Sequence, residues 1–171
     1  MSTPAAQTPA PVDMTEMKKI TQFVYIVLMA GMAGQFMLVT IAPASVAIIC
    51  AVVYAYIKRK ELKDTWLESH YRWMTRSFWI GGAVYLPVAT IALSIFQGLF
   101  VDLQPMYAAM YEGEKDVMTL MKLAYESNER MIFFSTLTML GVFALWWSVR
   151  CFIGLYHLRK NEAVPEVTRW L

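Results

Sequence analysis

The chain has 171 residues, 58% of them hydrophobic and only 16% charged. A soluble domain carries about 25% charged residues, so this composition excludes an ordinary soluble fold and points to a bilayer. The formal net charge of +2 gives no ground for a nucleic-acid partner.

Residues 1–13, rich in Ala, Pro and Thr, lack the basic start and apolar core of a cleaved signal peptide, and are expected to form a disordered tail. Charge is absent from 20–57, a stretch long enough to cross a membrane twice, and from 77–101 and 131–149. A hydrocarbon core of about 30 Å needs about 20 apolar residues per helix. Spans are therefore predicted over 20–40, 43–58, 77–101 and 131–151. The second is short and relies on Pro43 at one end and a snorkelling Lys58 at the other. Span one carries Ala30, Gly31, Ala33 and Gly34, small residues that let a neighbouring helix approach within the chain. Cys50 and Cys151 lie in or beside spans and read as apolar packing groups rather than a disulfide. Span three holds Gly81, Gly82 and Pro87, so its helix should kink near the middle. Trp146 and Trp147 beside Arg150 read as an aromatic belt. The apolar pattern beyond Arg150 reads as a helix along the inner leaflet.

With four spans, 12 Lys and Arg fall on the side of the termini and three on the other. The positive-inside rule then puts both termini and the 58–76 connection in the cytoplasm. The connection 102–130 faces out, with six acids against three bases. Within it Val117, Leu120, Met121 and Ala124 recur at helical spacing, which predicts a short amphipathic helix feeding span four.

Two contact surfaces are expected. The first is cytoplasmic: Trp66, Glu68, His70, Tyr71, Arg72, Arg76 and Trp79, where basic and aromatic side chains would dock a partner or a lipid headgroup. The plainer reading is an interfacial helix that orients the bundle. A Glu68–Arg72 pair one helical turn apart is worth only about 0.3–0.5 kcal/mol, too little for a stability device. The second surface is the outer helix, with Val117, Leu120 and Met121.

Reaction chemistry is sparse. His70 and His157 are the only histidines, and two imidazoles could ligate a haem. Met106, Met110, Met118 and Met121 could offer thioethers to a copper ion, although 13 methionines make a chance cluster the plainer reading. Phosphate loops, zinc-protease motifs and nucleophile triads are absent from the sequence. The spans hold no Asp, Glu, Lys or Arg, which disfavours a proton- or ion-coupled carrier. No cofactor and no catalytic residue are expected.

The strings AYIKR (55–59), TWLESHYR (65–72) and RSFWIG (76–81), with WWSVRCFIGL (146–155), NEAVP (161–165) and TRWL (168–171), resemble a group of small bacterial inner-membrane proteins of the Tic20-like type. The resemblance covers most of 20–171. It implies a compact helical domain in the bacterial inner membrane, and through the Tic20 name a remote link to protein translocation. The chain departs from the pattern in 102–130, where the relatives have a short turn.

The reading is thus an all-α integral membrane four-helix bundle over 14–160, with an amphipathic cytoplasmic segment, an outer helical insertion and a cytoplasmic tail over 161–171. The expected role is non-enzymatic: an accessory or scaffolding subunit that binds the bilayer and a membrane-protein partner. A transport or translocation component stands second. A haem-binding electron carrier stands third.

Overall fold

The computed structural model describes residues 13–165. The expected disordered tail, apart from Asp13, and the TRWL end with Arg169 lie outside the described residues. Among the described residues the chain is helical, with no strand. The helices are α1 (Met14–Gly34), α2 (Ile41–Glu61), α3 (Trp66–Trp79), α4 (Leu86–Phe100), α5 (Gln104–Tyr111) and α6 (Val117–Lys160). A short 3-10 segment, Leu38–Thr40, precedes α2, and a π segment, Ile80–Tyr85, joins α3 to α4.

Three helices are long and apolar enough to cross a membrane: α2, the run Trp66–Phe100, and α6. That makes the chain a multi-pass membrane protein by length and composition. Helix α1 falls outside this set. Glu16, Lys18 and Lys19 lie inside it, and it stops at Gly34, so its charge-free part covers only about 22 Å of axis. The expected span 20–40 is therefore not one helix. The turn comes at 35–40, inside the span expected over 20–40, because local side chains fix it there. The Thr40 hydroxyl donates to the Gly34 carbonyl at 2.7 Å, and the Gln35 amide donates to the Ser45 hydroxyl at 3.2 Å.

The chain divides into two compact units, Met1–Arg76 with Arg150–Leu171, and Ser77–Val149. In the first, α1 buries Met17, Thr21, Val24, Tyr25, Leu28, Gly31 and Met32, a stripe at helical spacing. Part of that stripe meets α2, which buries Ile48, Ala51, Val52 and Ala55. A Cβ at Gly31 would lie 2.6 Å from Ile48 Cγ1 and one at Gly34 2.8 Å from the Ala44 Cβ, so the two glycines serve packing within the chain, whereas Ala30 and Ala33 are exposed.

The second unit holds the interrupted helix. Pro87 has no N–H to return to the preceding turn. One residue earlier the Leu86 N–H reaches back to the Gly81 carbonyl, the wide i→i+5 register of a π turn. The unit is pinned to α6 at three levels. Tyr85 donates to the Met139 carbonyl at 3.0 Å and stacks on Phe143 with centroids 4.7 Å apart. Gln97 donates to the Ser135 hydroxyl at 3.1 Å. Asn128 accepts from the Asp102 N–H and donates to the Asp102 carbonyl, both at 2.8 Å. Trp147 is buried rather than part of an exposed belt.

Helix α6 runs unbroken for 44 residues, about 66 Å, more than twice the hydrocarbon thickness. The short outer helix expected around 117–125 is the beginning of this rod. Its far end was expected to lie on the inner leaflet. One face of that end, with Arg150, Cys151, Gly154 and Leu158, is buried inside the first unit, while Phe152 and Tyr156 stay exposed.

Candidate functional site

Helix α3 is central to the first unit. Leu67, His70, Tyr71, Trp73, Met74 and Thr75 are buried on it, while Arg72 is exposed. His70 and Tyr71, predicted as members of a docking surface, have no exposed area. This corrects the expectation: a histidine and a tyrosine amid basic and aromatic neighbours look like a surface, but helical spacing turns both inward. Trp66, Glu68 and Arg76 are half-buried, and Arg72 and Trp79 are exposed.

The inward side chains form a hydrogen-bonded set. Thr21 donates its one hydroxyl proton to the Met17 carbonyl at 2.7 Å, so at the 2.8 Å contact the Tyr71 hydroxyl is the donor. His70 Nε2 lies 3.0 Å from the Glu162 carbonyl, which can only accept. The imidazole therefore carries its proton on Nε2 and accepts from the Tyr25 hydroxyl at Nδ1, 3.2 Å away. Trp66 and Tyr25 each meet the His70 ring edge to face. Burial pushes His70 down to about 4 and Tyr71 up to about 12. His70 is thus neutral at physiological pH, and both its ring nitrogens are engaged within the chain. His157 pairs instead with the Glu162 carboxylate at 3.3 Å. The two histidines thus serve separate contacts rather than converging on one open site.

The set closes the C-terminal strap. Helix α6 ends in a Schellman motif: the Glu162 N–H bonds the His157 carbonyl, the Asn161 N–H bonds the Leu158 carbonyl, and Asn161 adopts φ +57°. That turn returns 162–164 to α3, where the Val164 N–H meets the Ser69 hydroxyl at 2.9 Å. Lys18 of α1 donates to Asn161 Oδ1 at 2.6 Å and to the Arg159 carbonyl at 3.2 Å. A further tie joins α3 to α6: the Trp73 indole donates to the Arg150 carbonyl at 2.9 Å, and the Arg150 guanidinium lies 3.7 Å from the Trp73 ring centroid. Of these residues Thr21, Tyr25 and Trp73 lie outside every motif string, and Ser69, Arg150, Asn161 and Glu162 lie within such strings without being singled out for these contacts. The available signal was a Thr and a Tyr four residues apart in an apolar helix.

On the exposed side of α3, Arg72 pairs with Glu68 and holds its carboxyl below the usual range; Glu68 also accepts the Asp64 N–H at 3.1 Å. The arrangement orders the α2–α3 turn and leaves Arg72 exposed in the first unit.

The outer segment is different. Val117, Met118 and Met121 are each more than 60% exposed, Leu120 is half-buried, and Tyr107, Met110, Tyr111 and Tyr125 are exposed. The predicted stripe is thus present on a helix and covered only in part within the chain, with Leu120 and Ala124 half-buried and Val117 and Met121 exposed. Asp116 opens α6 by accepting from Met118 and Thr119, whose hydrogen bonds hold its carboxyl below the usual range and keep it ionised.

Comparison with family models, with curated proteins and with solved structures gives no match for this chain.

Proposed function

We infer that the chain is a non-enzymatic, multi-pass protein of the bacterial inner membrane, an accessory or scaffolding subunit of a larger membrane assembly. The observation that carries this reading is the largely exposed outer segment. A monomeric surface rarely leaves so many large apolar side chains together in water. They sit on α5 and on the part of α6 that extends about 20 Å beyond its charge-free stretch. A lipid surface is the poorer cover, because Glu112, Glu114 and Asp116 cluster at the start of the stripe and anionic headgroups repel them. A membrane-protein partner is the better one. The first unit supports the role from the other side: its polar side chains are spent on internal ties, which suits a rigid scaffold more than a catalyst.

In the first unit the inner-face surface shrinks to Arg72, with Trp66, Glu68 and Arg76 at its edge. It becomes the second contact site. The translocation reading rests on the Tic20-like resemblance; a polar path beside Gln35 or Gln97 would favour it, but both amides are bonded within the chain. The haem reading loses its main ligand to the Tyr25 and Glu162 contacts.

The test is replacement of 103–128 by a short polar turn, followed by purification in mild detergent. The shortened chain should still insert and should lose the proteins that travel with the full chain. Retained co-purification removes the outer segment from the interface.

A further inference from the structure

Between α4 and α6 runs an open groove of about 820 Å³, within the size range of ligand clefts. Ala89, Leu93 and Phe96 line it from α4, and Met131 and Phe134 from α6. Its two hydroxyls are already satisfied. Ser135 donates to the Ile132 carbonyl at 3.1 Å and accepts from Gln97, and Thr138 donates to the Phe134 carbonyl at 2.8 Å. The walls therefore offer an occupant apolar contact and little else. At one end stands Arg130, exposed at the edge of the charge-free stretch 131–149. No carboxylate lines the groove, and among the described residues the ion pairs involve other side chains. From Arg130 to Met139, at the other end of the lining, is about 13 Å along the α6 axis.

We propose that this groove binds one acyl chain of an anionic phospholipid, with the phosphate of its headgroup held at Arg130. An apolar trough with satisfied hydroxyls takes a hydrocarbon chain. A guanidinium at its mouth, at the level where the apolar stretch ends, selects a negative headgroup. The site depends on membrane placement and is independent of the accessory role.

The test uses the full chain in lipid nanodiscs. The probes are phosphatidylglycerol and phosphatidylcholine carrying the same photoactivatable acyl chain, and cross-linked peptides are mapped by mass spectrometry. Labelling should concentrate on 89–96 and 131–139, with about fivefold preference for phosphatidylglycerol. Arg130→Gln, an exposed change that leaves the fold alone, should abolish the preference while keeping the labelled positions. Ala92→Trp, whose indole enters the groove from an exposed position, should remove labelling by both lipids. Equal labelling by the two lipids in the unaltered chain overturns the proposal. So does labelling that Ala92→Trp leaves unchanged, or a groove closed by a second copy and seen as an unlabelled dimer. Failure to reconstitute into nanodiscs would overturn the membrane placement itself.

Discussion

Acidification should loosen the first unit through His70. In the fold its imidazole is buried, neutral and placed between the Tyr25 hydroxyl and the Glu162 carbonyl. Protonation would add a proton at Nδ1, where the hydroxyl now donates, and a charge in a site that already faces His157. Burial lowers the folded value from 6.5 to about 4. Between these two values the unfolded chain binds the proton that the fold resists, so stability rises with pH there. His70 therefore contributes its full share above pH 6.5, and that share is lost as the pH falls toward 4. At about 1.4 kcal/mol for each tenfold step, the loss is about 2 kcal/mol at pH 5 and about 3 kcal/mol once protonation is complete. In a chain of this size 2 kcal/mol lowers Tm by about 4–8 °C. Tryptophan fluorescence can follow thermal unfolding of the detergent-solubilised protein, since Trp66 and Trp73 lie in the unit concerned. His70→Gln keeps a donor for the Glu162 carbonyl and cannot titrate, so its Tm should change less between pH 7 and 5. A flat profile in the unaltered protein, or an equal fall in His70→Gln, would refute the argument.

Gly154→Ala would drive a Cβ into the Tyr25 ring and hydroxyl, and should cost about 1–3 kcal/mol, read as a lower Tm at neutral pH. Asn161→Gly should be tolerated, because glycine adopts the left-handed turn freely. Asn161→Val should lose about 1–2 kcal/mol and expose 162–165 to protease. A cysteine at Glu114 should react with an impermeant thiol reagent in intact cells and one at Lys160 should not; the reverse pattern would invert the topology proposed from the 12 to 3 charge split.

Much of this molecule was legible as composition. The apolar runs that become α2, Trp66–Phe100 and α6 were visible because hydropathy is a property of a local window, and a window is all that a single sequence offers. A disturbance near Pro87 was legible for the same reason, since a missing N–H is felt within one turn, although its π form was not. The shortness of α1 was misread: the apolar run continues past Gly34, and the helix stops there because Thr40 and Gln35 fix a turn with groups several residues away. The outer stripe was found by its spacing, but its partial cover is a fact about neighbours.

Only the tertiary structure decided what the 66–79 segment does. By sequence His70 and Tyr71 share one description with Arg72 and Trp79, polar or aromatic side chains beside an apolar span. What separates them is which face of α3 meets Thr21 and Tyr25 of α1, some 45 to 50 positions away, and Glu162, 92 positions away. A hydrogen bond formed across that separation leaves no local periodicity, because its two halves satisfy each other only after the helices have packed.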